Sequence, residues 1–189
     1  RSSMGIQTAM KLAYKGGLVT HSNPVFAQYF SIEPMLAFVR FGKWNDILSL
    51  PDPDENQTYT RVIWRFSRGI SQLRSNNLKE AEYELAKLDS LCNLDTLSNV
   101  YFSFNPVAKI AQVPLHLLRG QVLIGQKKFN EGIKMLQKAV DSEDDLSYME
   151  PPDWKLPSRH FLGAALLEAG KYADAEKVYL DDLKKNPEN

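Results

Sequence analysis

The chain has 189 residues, of which 43% are hydrophobic and 24% are charged, an ordinary composition for a folded globular protein. Lysine plus arginine and aspartate plus glutamate both number 23, and this balance argues against binding to nucleic acid or to an anionic membrane, which requires a concentrated basic face. The apolar runs are too short for a transmembrane helix, and the lone Cys92 excludes both an intrachain disulfide and a cysteine-rich metal site.

The opening residues, 1–17, predict the second helix of a truncated helical unit. Ile6, Ala9, Met10 and Ala13 recur at helical spacing, and Gly16 and Gly17 are expected to end the helix. A chain that opens on half a unit is expected to belong to a longer array of such units.

Residues 25–50 predict a divergent helical unit, with one helix broken at Gly42. Val39, Gly42, Trp44 and Leu48 match positions of the later units. Met35 and Ile47 stand where those units carry small residues, so we expect this unit to pack more widely.

Two further units, 58–92 and 106–141, are copies of each other. Residues 68–88 align with residues 119–139 without a gap, and the matches include Arg68 with Arg119, Gly69 with Gly120, Leu78 with Phe129, Glu80 with Glu131 and Leu85 with Leu136. Helices are predicted over 58–76, 78–91, 106–126 and 129–140. Asn105 is interpreted as a helix cap with Pro106 at the first helical position, and Pro114 is expected to kink or restart the helix.

The last unit, 156–187, predicts helices over 156–169 and 172–185 with a break at Gly170. Small residues recur twelve positions apart across each predicted turn, as the pairs Gly69 with Ala81, Gly120 with Gly132 and Gly163 with Ala175. If the two helices of a unit pack antiparallel, these pairs face each other where the backbones come closest. Repetition of this kind indicates stacked units, because one unit alone cannot bury its apolar face.

The last unit resembles the tetratricopeptide repeat (TPR) family. The matching residues are Leu162, Gly163, Gly170, Tyr172, Ala175, Tyr179 and Pro187, while Asp182 stands where the family usually has alanine. The resemblance implies an all-α fold, a right-handed superhelix of antiparallel helix pairs (an α-solenoid), with the whole chain, 1–189, as one array. The chain is also similar to little-characterised bacterial multi-repeat TPR proteins, in which an acidic stretch and a PPxW-type segment precede the last repeat.

Two insertions interrupt the array, at residues 92–106 and 141–154. The second reads DSEDDLSYMEPPDW, and its large side chains Tyr148, Met149 and Trp154 favour an ordered segment over a mobile tether. We expect Trp154 to pack against the first helix of the last unit and the acidic residues 143–145 to be solvated. A structural role is the main interpretation, with partner binding as the alternative.

The motifs of catalysis and of cofactor binding are not found. Neither nucleotide-binding glycine fingerprint occurs, and the start of a calcium loop at residues 52–56 fails because Gln57 replaces the glycine and Ile63 the final glutamate. The three histidines lack the spacing of a helical zinc site. Cys92 is interpreted as a core residue rather than as a nucleophile. No cofactor and no metal are therefore predicted.

The TPR resemblance also implies which side chains line the concave wall formed by the first helix of each unit. The candidates for contact with a peptide are Arg40, Phe66, Ile70, Arg74, Gln121 and His160. The wall lacks the Lys/Asn/Arg set with which chaperone-linked TPR domains hold a peptide C-terminus, so that partner is not expected. Burial between helices is the alternative interpretation for each wall residue.

Three functions remain open at this stage. The first is an interaction scaffold that binds a peptide or protein segment in its groove, without catalysis. The second is an assembly module, in which the chain associates with itself through its ends or packs within a larger multi-repeat protein. The third, an enzyme, is disfavoured by the missing motifs. The sequence leaves the compartment open, because a single cysteine suits a reducing compartment and also a secreted protein without disulfides.

Overall fold

The computed structural model of the protein describes residues 2–19, 24–102 and 104–185. This part of the chain is predominantly α-helical, which confirms the predicted all-α class. The helices are α1 Ser2–Val19, α2 Pro24–Ser31, α3 Glu33–Arg40, α4 Trp44–Leu48, α5 Thr58–Arg74, α6 Leu78–Cys92, α7 Val107–Gly125, α8 Phe129–Asp144, α9 Ser158–Glu168 and α10 Tyr172–Lys185. A 3-10 turn, Asp95–Leu97, and two short antiparallel strands, β1 Tyr101–Phe102 and β2 Asn105–Pro106, lie between α6 and α7.

Four helix pairs are joined by turns of the same geometry. The turns follow α3, α5, α7 and α9, and each contains one residue in the left-handed conformation: Gly42 (φ 65°), Asn76 (φ 60°), Lys127 (φ 63°) and Gly170 (φ 72°). In each turn the next amide donates a hydrogen bond five residues back, from Lys43 to Phe38, Asn77 to Gln72, Lys128 to Leu123 and Lys171 to Leu166, at 2.8–2.9 Å. This is the hydrogen-bonding pattern of a Schellman motif. The four turns therefore share one backbone conformation.

The helices form two layers. The first helices of successive pairs contact each other in the order α3, α5, α7, α9, while α4, α6 and α8 each contact the first helix of the next pair. The interface between the layers is the hydrophobic core, with Ile63, Leu88, Leu118 and Leu136 fully buried. A buried carboxylate, Glu84, is paired with two arginines of α5 at 2.8 and 2.9 Å.

The closest helix approach was predicted at three pairs of small residues, and the contacts differ among them. A Cβ atom placed on Gly120 would lie 3.1 Å from the carbonyl oxygen of Gly132, so this pair faces across the hairpin as predicted. The atoms nearest to Gly69 instead belong to Leu118 of α7, and those nearest to Gly163 belong to Tyr179 of α10. At these two positions the absent side chain makes room for a large neighbour.

Two predicted helix boundaries in the first part of the chain are wrong. Helix α1 continues through Gly16 and Gly17 to Val19, because glycine lowers helix propensity but still donates its backbone N–H. The helix predicted over 25–50 is three helices, with a break at Ile32 in addition to the break at Gly42. The proline at the start of α3, Pro34, begins a new helix because it lacks the N–H that a continuous helix requires.

The expected role of Asn105 as a helix cap is also wrong. Asn105 lies in β2, and Pro106, in extended conformation, is the residue before α7. The Asn105 side chain bonds the backbone N–H and C=O of Ser147 at 2.8 and 3.0 Å, so a long-range contact replaces the local one. Pro114 neither ends nor restarts α7, which runs unbroken around it.

Candidate functional site

A cleft of about 600 Å³ opens on the side of the molecule formed by the first helices. It is bounded by the end of α3 and its turn, the start of α4, the last part of α5, and the first turn of α9 with the residues before it. The lining residues are Val39, Arg40, Phe41, Gly42, Trp44, Ile70, Arg74, Leu156, Pro157, His160 and Phe161. Residues of α3 and α9 therefore line the same cleft.

Four of the six predicted site residues line this one cleft: Arg40, Ile70, Arg74 and His160. They come from three different units, and the helical repeat places them together because they occupy corresponding faces of the first helices. Ile70 is almost fully buried and forms part of the floor. The guanidinium groups of Arg40 and Arg74 and the imidazole of His160 belong to exposed residues.

The other two predicted residues lie outside the lining. Gln121, on α7, accepts a hydrogen bond from the Arg74 guanidinium at 3.3 Å and so holds that side chain from the edge of the cleft. Phe66 is fully buried. Its ring lies against the indole of Trp154, with centroids 5.5 Å apart and planes at 74°.

Trp154 belongs to an ordered segment, residues 145–157, which we call the strap. Trp154 is 3% exposed, so this end of the insertion is packed, whereas Tyr148, which was also expected to supply buried surface, is 82% exposed. The aromatic partner, however, is Phe66 of α5 and not the predicted first helix of the last unit. The strap therefore reaches back across the row of first helices and covers the wall beside the cleft.

Polar contacts hold the strap along its length. The Tyr29 hydroxyl donates to the carbonyl oxygen of Pro151 at 3.2 Å, and Asn105 donates to the Asp153 carboxylate at 2.8 Å. Lys155 forms an ion pair with Glu33 and lies 4.4 Å from the centre of the Tyr29 ring. Burial raises the pKa of the Tyr29 hydroxyl to about 12 and also raises the pKa of Asp153.

The acidic residues before the strap are less solvated than predicted. Helix α8 extends to Asp144, and the Glu143 carboxylate accepts a 2.7 Å hydrogen bond from the backbone N–H of Ser158, the first residue of α9. Burial raises the pKa of Glu143. Partial burial of Asp144 tends to raise its pKa. Hydrogen bonds from Arg159 and Lys185 outweigh this effect and hold the pKa below its ordinary value. Asp145 is exposed as predicted.

The arginines of the cleft differ from the others in the described part of the chain. Five arginines form ion pairs: Arg61 and Arg65 with Asp52, Arg65 and Arg68 with Glu84, Arg119 with Asp89, and Arg159 with Asp144. Among the residues that the structure describes, no carboxylate lies within 4.0 Å of the guanidinium group of Arg40 or Arg74. The two arginines that carry no such partner are thus the two that line the cleft.

His160 is held by a buried carboxylate. Its Nε2 atom lies 3.0 Å from an oxygen of Asp182, whose side chain is only 5% exposed. This contact fixes the imidazole at the rim of the cleft.

The sequence did not single out the aromatic side chains of the cleft as site residues. Phe41 is 37% exposed, and Trp44 and Phe161 are partly exposed. Trp44 was noted only as a repeat position. Phe41 and Trp44 stand on either side of the turn glycine, Gly42. This local pattern is the signal from which this part of the cleft could have been predicted.

Searches of the described residues for other kinds of site gave two further results. They contain no helix long and apolar enough to cross a membrane. Nor do they contain three or more His, Cys, Asp or Glu side chains grouped to hold a metal ion. Comparisons of the chain with protein-family models, with curated proteins and with solved structures found no match.

Proposed function

We propose that this protein is a non-catalytic interaction scaffold of the TPR type, which binds a peptide segment of a protein partner in the cleft between α3, α5 and α9. The observation that carries the proposal is the convergence of Arg40, Ile70, Arg74 and His160, from three units, on one cleft. In a TPR-like right-handed superhelix the first helices form the concave wall, which is where ligands bind in stacked-helix proteins. No cofactor and no catalytic residue are assigned.

The repeat geometry supports this architecture. The left-handed residues Gly42, Asn76, Lys127 and Gly170 each lie seven positions after Met35, Gly69, Gly120 and Gly163, the positions that define the repeat. Equivalent turns at equivalent positions are expected when one helix-turn-helix unit is repeated. Contacts between successive first helices are the stacking that such units need to bury their apolar faces.

The size and chemistry of the cleft support peptide binding. Its volume of about 600 Å³ suits several side chains and lies within the range of about 300–1,000 Å³ found for ligand pockets. Its lining combines apolar and aromatic surface with three polar groups, which is the composition of recognition sites. The strap supplies a further argument, since it is a segment without helix or strand that packs beside the cleft, with Trp154 against Phe66.

Site-specific photocrosslinking tests the proposal. A benzoylphenylalanine replaces Phe41, which is 37% exposed in the cleft, and in a control it replaces Tyr83, which is 51% exposed on α6. In cells that produce the natural partner, we expect a discrete crosslinked protein from position 41 that is absent from position 83. Equal crosslinking at both positions, or none at position 41, would contradict the proposal.

An assembly module is the second candidate, and a separate observation favours it. Helices α1 and α10 expose large apolar side chains: Met4 71%, Met10 48%, Tyr14 71%, Tyr172 69%, Leu180 51% and Leu183 50%. Association of these faces between copies, or with other parts of a larger protein, would cover them. Light scattering tests self-association: a mass that rises with concentration, and returns to the monomer value in Leu180→Lys, is expected for this function.

A further inference from the structure

We propose that the cleft selects partner segments in which a carboxylate side chain stands next to an aromatic or branched aliphatic one. The carboxylate would lie between the guanidinium groups of Arg40 and Arg74. The apolar neighbour would pack between Trp44 and Phe161. This inference rests on the proposed peptide-binding function and specifies its ligand.

The charge distribution inside the cleft indicates that the ligand carries a carboxylate. Two guanidinium groups line it, no aspartate or glutamate does, and neither arginine has a carboxylate partner among the described residues. Two like charges in one cleft disfavour each other, and a carboxylate between them relieves this. Arginine binds carboxylates through paired N–H donors, so it selects this group by geometry as well as by charge.

The hydrogen bonds of Arg74 and His160, at opposite ends of the cleft, indicate where the acidic group of the ligand binds. Arg74 is held on one side by Gln121, an uncharged acceptor that leaves its positive charge uncompensated. His160 is already bound to the Asp182 carboxylate, so its side of the rim does not offer an unpaired cation. The positive potential of the cleft therefore lies at the end formed by α3 and α5, not at the α9 end.

The apolar part of the cleft indicates that an aromatic or branched aliphatic side chain stands next to this carboxylate. Trp44 and Phe161 are partly exposed there, Phe41 is 37% exposed, and Leu156, which also lines the cleft, is buried. An aromatic side chain of the partner would pack edge-on or stacked against these rings, as Trp154 packs against Phe66 in the adjoining part of the wall. A ligand that offered only a charged group would leave this apolar surface exposed to water.

A nucleic acid is the competing ligand for a site with two arginines and several aromatic rings. Binding to a nucleic acid depends on many phosphate contacts, each of which needs a cation. The cleft has two arginines, and the whole chain has a formal net charge of zero. An acidic peptide fits this amount of positive charge, whereas a phosphate backbone would extend beyond it.

Peptide selection tests the inference. A phage-displayed library of random linear peptides is selected on the wild type, on Arg40→Gln/Arg74→Gln, and on Lys79→Gln/Lys134→Gln, which removes the same charge from exposed positions on α6 and α8. We expect wild-type peptides with Asp or Glu beside Trp, Phe or Leu. They should bind about tenfold more weakly for each cleft arginine removed, and equally well to the lysine control.

A charge reversal gives a second, independent result. Arg40→Glu/Arg74→Glu is expected to select peptides with Lys or Arg in place of the acidic residue. All three double variants change exposed side chains, so matching thermal unfolding curves would show that each remains folded. Selection of basic peptides by the reversed cleft cannot be explained by loss of structure.

Three results would overturn the inference. If wild-type peptides lose binding in Trp44→Ala but carry no acidic residue, the ligand class is wrong and the peptide-binding function stands. If no selected peptide responds to Trp44→Ala or to the arginine variants, both fail. If fluorescein-labelled oligothymidine binds the wild type and is lost in Arg40→Gln/Arg74→Gln, the cleft is a nucleic-acid site.

Discussion

The indole of Trp154 packs edge-on against the ring of Phe66, 88 residues earlier in the chain, with 5.5 Å between the ring centroids. This contact ties the insertion that precedes the last helix pair to the first helices near the middle of the array. It also removes Phe66 from solvent, so the free part of the wall begins beside it, at the cleft. The strap thus covers part of the surface of the first helices beside the cleft.

Loss of the indole is expected to destabilise the fold. Trp154→Ala removes a buried aromatic side chain and leaves a cavity, so we expect a loss of about 3–5 kcal/mol in the free energy of unfolding. Tyr148→Ala, in the same strap but 82% exposed, should change it by less than about 0.5 kcal/mol. Urea denaturation measures both. Equal, small effects would mean that the strap contributes nothing to the packed core.

The closest helix approach can be tested at Gly120 and Gly163. A Cβ on Gly120 would lie 2.6 Å from Leu136 and 3.1 Å from the backbone oxygen of Gly132, and that backbone is held in its helix. Gly120→Ala should therefore destabilise by about 1–3 kcal/mol through overpacking. At Gly163 the obstacle is the Tyr179 ring, which is a partly exposed side chain rather than backbone.

Gly163→Ala is accordingly expected to cost less than Gly120→Ala, while Gly163→Leu should again cost about 1–3 kcal/mol, because a larger side chain cannot be accommodated by rotating one ring. Chemical denaturation of the three variants gives the ranking. A stabilised Gly120→Ala would show that the helices of this pair are not in close contact, since alanine is the better helix former.

The left-handed turn after α9 offers a test of backbone conformation alone. A side chain at Gly170 would meet no atom within 4 Å, but the residue has φ 72°. Gly170→Ala should therefore destabilise by about 1–2 kcal/mol, the cost of the left-handed conformation for a residue with a Cβ atom. Thermal unfolding measures this, with Lys171→Ala, an exposed neighbour, as control. An unchanged Gly170→Ala would argue against the common turn geometry.

Glu143 predicts a pH dependence. Burial raises its pKa above the ordinary value of 4.5, so the folded state binds more protons than the unfolded state in the interval just above that value. Stability contributed by this group is present below its unfolded pKa and is lost as the pH rises through the folded pKa. Wild type should therefore lose stability relative to Glu143→Gln as the pH rises from 4.5 towards neutral. A constant difference across this interval would contradict the assigned burial.

Much of the helical framework could be predicted because its signals are local. The spacing of Gly69, Gly120 and Gly163 indicated the repeat, and the positions of the turns at Gly42 and Gly170 follow from glycine's access to positive φ. The six candidate binding residues were chosen with the same spacing, and four of them line the cleft. Periodicity is enough for this, since each unit repeats the same face.

The errors arose where distant parts of the chain meet. Asn105 has the local pattern of a helix cap, but its amide bonds Ser147 across the insertion. Trp154 was expected to pack on the first helix of the last unit, and no sequence pattern indicated its ring contact with Phe66 of α5. No local pattern encodes such contacts, because they depend on how the helix pairs stack.

The proposed activity of this protein is the binding of partner segments between α3, α5 and α9. It is tested most directly by NMR of the isotope-labelled protein, titrated with the peptide that is most strongly selected from the library. We predict that the backbone amide signals that shift belong to residues around Arg40, Ile70, Arg74, Leu156 and His160, and that signals from the exposed faces of α6 and α8 stay in place. Shifts confined to α6, α8 or α10 would contradict the claim.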